Sequence, residues 1–343
     1  MHIAQDTIRD PLYVVAVVSN PVRYKRRWEL FRQFAKHATD SGARLQIVEC
    51  AFGERDFAAT RAENSWPVGS SLATGAGYLA PVQLRTSHEI WHKENLINLG
   101  VQRLPPDWKY VAWIDADVTL ANPNWVADTL HALQHYAVLQ PWSQALDLGP
   151  DGTPFASYHG FGASYLAKCG GDPEATGYWN RPAGTGYWHT GFAWAIRRDA
   201  WDALGGLIDW AIAGSADWYM GWSLLGEYGG RVYWRVADPR RRRRGFTPAY
   251  VESILRWQER AAALRKNVGC LPGLLLHHWH GAKVKRAYKE REAILIDYQF
   301  DPSRDLRRDW QGLWQLHDDG SQRIIDLRDA LRAYFRARDE DGS

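Results

Sequence analysis

The sequence predicts an α/β protein with a largely parallel central sheet, and three observations lead to that class. Short β-branched runs alternate with segments of helical periodicity, as in a sheet whose strands are joined through helices. The first run, Leu12–Ser19, reads as a buried strand. A later run, Tyr110–Val118, is apolar until it reaches two carboxylates one residue apart, Asp115 and Asp117. Ligands of open α/β sheets bind beyond the carboxyl ends of the strands, so this acidic end marks the expected site.

In chain order, Asn20-Pro21 ends the first strand. Residues 24–39 carry Trp28, Phe31, Phe34, Ala35 and Ala38 at helical spacing, with Gly42 as the C-cap. Residues 44–51 read as a strand and 54–81, rich in Gly, Ser and Ala, as loop. A helix is predicted over 89–104, the acidic-ended strand over 110–118, a helix over 125–135 and a strand over 137–141. Residues 143–190, full of Gly, Pro and aromatics, show little periodicity and read as a long loop that closes over a ligand. A short strand follows at 191–196, a helical turn at 199–204 and a helix at 216–227 with Ser215 as N-cap. Strands are predicted at 232–236 and 274–280. From Lys285 onward the pattern is helical and highly charged, broken at Pro302. The predicted organisation is one domain over residues 1–284 and a helical extension over 285–343.

The 343 residues are 45% hydrophobic and 24% charged, with a net charge of +3, which describes an ordinary globular chain and is too small to demand a polyanionic partner. Three widely spaced cysteines, Cys50, Cys169 and Cys270, argue against a disulfide framework or a zinc cluster and for a reducing compartment. No signal pattern and no membrane-length apolar run is seen, so a cytoplasmic protein with no membrane partner and no obligate protein partner is expected. Eight of the 19 tryptophans lie between Trp179 and Trp234. They suit either a large aromatic core or a flat platform for a sugar or base.

In a strand, residues i and i+2 share a face, so Asp115 and Asp117 can address one site. Two hard oxygen ligands suit Mg²⁺ or Mn²⁺ with a phosphate-bearing substrate. Two carboxylates would leave the ion under-ligated. His278 and His280 share a face of the predicted strand that holds them, and one of them can complete the set.

Five segments in order resemble the GT-A type glycosyltransferases, most of all the inverting β-galactosyltransferase and N-acetylgalactosaminyltransferase group. They are Ser19-Asn-Pro-Val-Arg23, residues 93–100 (KENLINLG), Trp113-Ile-Asp-Ala-Asp117, residues 190–206 (TGFAWAIRRDAWDALGG) and His277-His-Trp-His-Gly281. The resemblance covers most of residues 12–291. It implies a Rossmann-like GT-A fold with a mostly parallel sheet flanked by helices. It also implies a nucleotide-diphosphate sugar donor, a UDP-sugar by expectation, used with Mn²⁺ or Mg²⁺. On this resemblance Asp117 and His280 are the metal ligands. Pro21, Arg23, Lys93 and Asp115 hold the nucleotide, and Lys283 and Arg286 grip the diphosphate. The family's Trp-Gly-x-Gly-Glu-Asp cluster is absent. Gly214-Ser-Ala-Asp217 stands there instead, which makes Asp217, in the first turn of a helix, the expected catalytic base, with Asp209 and Glu227 as alternatives. The Arg240–Arg244 run is either a solvated face or a contact to a polyanionic acceptor such as DNA. The acceptor type does not transfer from the resemblance, and the candidates are a glycan and a modified nucleic-acid base, as in phage enzymes that glycosylate DNA. Two other classes compete: a metal-dependent nucleotidyltransferase, and a carbohydrate- or nucleic-acid-binding module without catalysis.

Overall fold

The computed structural model describes residues 10–60, 77–167, 188–228, 245–287 and 290–342. The strand expected at 232–236 and the Arg240–Arg244 run lie outside the described residues.

Seven strands form the central sheet: β1 (Leu12–Ser19), β2 (Arg44–Phe52), β3 (Val82–Thr86), β4 (Tyr110–Ile114), β6 (Val138–Gln140), β10 (Ala193–Arg197) and β11 (Val268–Cys270). Their order is β3-β2-β1-β4-β10-β6-β11, and every pairing is parallel except those of β10 with β4 and β6. This is the α/β fold with a mostly parallel, helix-flanked sheet that the sequence predicts. Alternation along β1 explains why both faces must be covered. Leu12, Val14 and Ala16 join one core with Phe31, Phe34 and Ala35 of helix α1 (Lys25–Asp40) and Trp125 and Leu130 of α3 (Trp125–Ala132). Tyr13 and Val15 join the other core with Leu96, Ile97 and Leu99 of α2 (Lys93–Val101).

A second sheet has the order β5-β12-β7-β8-β9, built from Val118–Leu120, Leu274–His277, Gln144–Leu148, Pro154–Gly160 and Trp188–His189. The acidic segment is therefore not one strand. The chain leaves the central sheet at Ile114, turns through Asp115–Asp117 and enters the second sheet as β5. The Asp115 N–H donates to the Phe192 carbonyl at 2.7 Å, which pins the turn beside the start of β10. Both acidic residues thus sit at the joint between two sheets.

Three sequence expectations change here. Residues 143–190 are not one long loop, since β7, β8 and helix α4 (Phe161–Ala167) occupy their described part. Their Gly- and aromatic-rich composition conceals strands that pair mainly with each other and with β12. Residues 274–280 are not all strand, because β12 stops at His277. The last stretch is not all helical either. It holds α8 (Glu290–Asp297), α9 (Pro302–Asp305), a hairpin of β13 (Leu306–Arg308) with β14 (Trp314–Leu316), and α10 (Gln322–Ala337). Leu327 and Leu331 of α10 belong to the same core as Leu96 and Ile97. Between Gly245 and β11, Pro248–Ala261 forms α7, and Thr247 caps it by accepting from Tyr250 N–H at 3.3 Å.

Helix α2 carries Lys93 to the site, and its distance from the sheet is set by Gly100. A Cβ there would lie 2.7 Å from methyl carbons of both Val15 and Val48. Gly100→Ala should therefore lower the urea midpoint, by about 1–3 kcal/mol of stability as overpacking usually costs. An unchanged midpoint would show that the helix can back away freely.

Candidate active site and metal centre

The turn carrying Asp117 meets the end of β12. His280 Nε2 lies 2.8 Å from Asp117 Oδ2, and His277 Nε2 lies 3.8 Å from the same oxygen. One ligand atom from each of Asp117, His277 and His280 falls within 4.8 Å of the others. Asp117 Oδ1 is buried and has no hydrogen-bond partner. Burial alone would raise the Asp117 pKa. The neighbouring imidazoles of His280 and His277 overcome it and hold the carboxyl well below its usual range.

Each imidazole is backed by a buried carboxylate at its other nitrogen. Asp147, on β7, accepts from His277 Nδ1 at 2.6 Å. The parallel pairing of β7 with β12 puts Asp147 opposite His277, so the register itself makes this contact. Glu340 Oε2 lies 3.7 Å from His280 Nδ1. Burial would lower the His277 pKa, but the nearby Asp117 and Asp147 carboxylates push it up. Cations surround this group. Lys283 pairs with Asp147 and donates to the Tyr158 hydroxyl at 2.7 Å. Arg286 Nη2 lies 2.9 Å from His280 Nε2, and Arg27 pairs with Glu340. Lys283 and Arg286 thus converge on the expected place while already engaged by side chains of the chain itself.

A second lobe forms around Lys93, at the start of α2. Lys93 pairs with Asp115. Burial would lower the Lys93 pKa, but Asp115, Glu94 and Asp217 keep its ammonium charged. Burial raises the Asp115 carboxyl against the pull of Lys93, and Asp117 and Asp217 add to the rise. Asp217, in the first turn of α6 (Ala216–Leu224), accepts from Thr190 Oγ at 3.3 Å. Glu94 is 5% exposed and accepts from Trp91 Nε1 at 3.0 Å. Burial pushes its pKa up to about 7, with Lys93 opposing and Asp217 reinforcing.

Several expected residues take other places. His278 does not face Asp117; its Nε2 meets Thr119 Oγ at 2.8 Å. The strand ends at His277, so strand alternation no longer applies and the partner of His280 is His277. Arg23 is exposed, with its guanidinium 5.8 Å over the Trp28 ring, and Pro21 is buried with its carbonyl accepting from Arg55. Asp209 is saturated by Asn98, Arg308 and Trp314 at 2.8–3.1 Å and knots α2 to the β13–β14 hairpin. Glu227 is exposed. Ser215 precedes α6 without capping it by its side chain, and its hydroxyl accepts from Arg291 at 2.9 Å. Trp188, Trp194, Trp201 and Trp222 are buried, so these four serve the core. His277, Asp147, Glu94 and Glu340 were not foreseen in these roles. The adjacent His277-His278 pair is the one local signal, since neighbouring residues of a strand face opposite sides.

No protein-family model matches the chain, and no curated protein matches it. Solved structures with some likeness include the Drosophila beta1,4-galactosyltransferase 7 in complex with manganese, UDP-Gal and xylobiose. It is 15% identical, with a TM-score of 0.32, covering 62% of this chain and 59% of that one. The chain therefore spans about three fifths of that relative. A protein provisionally described as a nucleotide-diphospho-sugar transferase from Desulfovibrio desulfuricans G20 is 12% identical at a TM-score of 0.32, covering 95% and 97%. The 4-diphosphocytidyl-2C-methyl-D-erythritol synthase of Anaerococcus prevotii DSM 20548 is 8% identical at 0.35, covering 94% and 96%. Likenesses of this size decide neither activity nor substrate.

Glu94 gives this lobe a pH signature in the free protein. A carboxyl whose pKa is raised by folding stabilises the fold only while protonated, and that contribution is lost as pH rises through the folded pKa. Glu94→Gln removes the titration. Its stability relative to wild type should rise between about pH 4.5 and 7 by up to about 3 kcal/mol and level off on either side. A difference independent of pH, measured by urea unfolding, would mean that Lys93 fully compensates the charge.

Proposed function

We propose that this chain transfers a sugar from a nucleotide-diphosphate sugar to an acceptor hydroxyl, with a divalent cation and with inversion at the sugar. One observation carries the reading: a carboxylate and two imidazoles converge at the carboxyl edge of the parallel sheet, beside a lobe of further carboxylates. The donor set fits a metal ion. Asp117 offers a buried oxygen with no partner, and both imidazoles turn Nε2 toward Asp117 with Nδ1 toward a carboxylate. Two nitrogens in the set favour Mn²⁺ over Mg²⁺, which prefers oxygen. When bound, the ion would act as a Lewis acid on the departing diphosphate.

The chain's own groups divide the remaining work. The lobe around His277 and His280 carries Lys283, Arg286 and Arg27, a cationic surround suited to a diphosphate. His280 Nε2 cannot accept from Arg286 and serve as a ligand together. Arg286 must release it and can then turn toward a phosphate oxygen. Lys93 holds Asp115 in place for the nucleotide. Asp217 takes the proton from the acceptor hydroxyl as its oxygen attacks the anomeric carbon, and the bond from that carbon to the diphosphate breaks. Thr190 orients the Asp217 carboxylate. A UDP-sugar is the first donor to test, and the acceptor class, glycan or modified nucleic-acid base, is open to the same assay. A nucleotidyltransferase would gather more than one carboxylate on the metal. The set found among the described residues has one.

Two tests separate the roles. Asp117→Ala should abolish Mn²⁺-dependent donor binding in a chain that still folds, with a lower unfolding temperature than wild type. His277→Ala should weaken Mn²⁺ binding about 10–100-fold, and His278→Ala should leave it unchanged. Calorimetric titration showing equal losses for His277 and His278 would refute the ligand set. Asp217→Asn should slow transfer by about 10²-fold or more with donor affinity nearly unchanged, and the product should have inverted configuration. Near-normal turnover or a retained configuration would remove Asp217 from the base role.

A further inference from the structure

The segment that follows α10, Arg338–Gly342, runs directly behind the proposed metal centre. Its backbone crosses Gly281, the residue after His280. Gly281 has φ +87°, and a Cβ there would lie 2.6 Å from the Asp339 carbonyl oxygen and 3.0 Å from Glu340 Cα. Both carboxylate oxygens of Asp341 accept from the first turn of α1, from Lys25 N–H at 3.0 Å and Arg26 N–H at 2.9 Å. No side chain of the preceding residue Tyr24 caps that turn, so the segment supplies the missing acceptors. Trp279 Nε1 donates to the Gly342 carbonyl at 3.1 Å, and Asp339 N–H donates to the Tyr24 hydroxyl at 3.0 Å. The segment thus staples the helix after the first strand to the turn that carries His280.

Glu340 is the inward-facing residue of this staple. Its side chain is 1% exposed. It accepts from Arg27 Nη2 at 2.7 Å and Arg338 Nε at 2.6 Å, and it lies 3.7 Å from His280 Nδ1. His280 Nδ1 is itself buried without a hydrogen-bond partner. Asp147 stands in the same relation to His277, with contact already closed at 2.6 Å. A slightly open Glu340–His280 pair beside a closed Asp147–His277 pair marks a contact that can shorten. An imidazole with a metal on Nε2 keeps its proton on Nδ1 and needs an acceptor there.

We propose that Glu340 is a positioning residue for the metal centre, and that docking of Arg338–Gly342 and metal binding reinforce each other. The inference rests on the metal-centre reading above. Linkage requires reciprocity: if the docked segment tightens metal binding by some factor, metal must favour the docked segment by the same factor.

The test uses the full chain and Mn²⁺ alone, with free Mn²⁺ read by electron paramagnetic resonance. Glu340→Gln keeps the side chain's size and its acceptor oxygen but loses the charge. It should weaken Mn²⁺ binding about 10–100-fold, with His280 still in place. Binding by Glu340→Gln within twofold of wild type, or tighter than wild type, overturns the inference and leaves the centre standing. Failure of the wild-type protein to bind Mn²⁺ overturns the centre, and the inference with it. Should the variant not fold, amide exchange of residues 338–342 in wild type decides the matter. Saturating Mn²⁺ should slow that exchange at least tenfold relative to metal-free protein, and unchanged exchange overturns the coupling. A purely structural role for Glu340 would lower the unfolding temperature without moving either readout.

Discussion

A carboxylate mostly withdrawn from water must be protonated or matched by opposite charge and hydrogen bonds, and Asp117 is such a group at the joint of two sheets. The matching draws in the rest of the site. His280 and His277 face its oxygen, and each ring is braced from behind, by Asp147 on a neighbouring strand and by Glu340 beyond the last helix. Those two carboxylates are buried in turn, so they need Lys283, Arg27 and Arg338. One partly buried charge thus explains a chain of contacts linking residues 27, 117, 147, 280 and 340. Removing one partner from such a network leaves an uncompensated charge, which is far costlier than the modest net worth of the network as a whole.

The frame that makes this possible is rigid. Asp117 emerges from a turn whose two ends belong to different sheets, and His277 closes a strand paired with both β5 and β7. The Asp117 carbonyl also accepts from His278 N–H at 2.8 Å, which ties the turn to the end of that strand. Helix α2 is fixed against β1 and β2 by the close approach at Gly100, which sets where Lys93 meets Asp115. The two lobes differ in charge as a result. One gathers cations about an imidazole pair, and the other gathers carboxylates about one lysine. A reaction that parts an anionic leaving group from an attacking hydroxyl uses both kinds of surroundings.

Much of the frame is legible from sequence because local rules govern it. Leu12–Ser19 is a strand to the residue, and the helix expected after it differs by one residue at each end. Apolar runs and 3.6-residue spacing report burial directly. Reading failed where a strand lacks its own signature. Residues 144–148 and 154–160 pair locally as a hairpin and β7 also pairs with the distant β12, but the buried face of β7 carries Asp147, so polarity along the chain does not report burial. The Thr247-Pro248 start of α7 carries the cap residue and N1 proline of a helix start.

For the site, the sequence determined which chemistry was available and roughly where it lay. Asp115, Asp117, His280 and Asp217 stand at the ends of elements expected from sequence, where groups need not pack, whereas Lys93 falls inside the helix expected over 89–104 and begins α2 only in the structure. Only the tertiary structure decided the partners. Strand alternation pairs His278 with His280, yet β12 ends at His277, so the turn brings His277 and His280 to Asp117 and turns His278 to Thr119. Asp209 looked like a spare base and proved to be a saturated structural acceptor, since its donors come from residues about 100 positions away. Glu340 lies more than 200 residues from Asp117, and no local pattern could tie it to His280. Side-chain type is written in the chain, but which buried charges must share one volume is set by long-range packing alone.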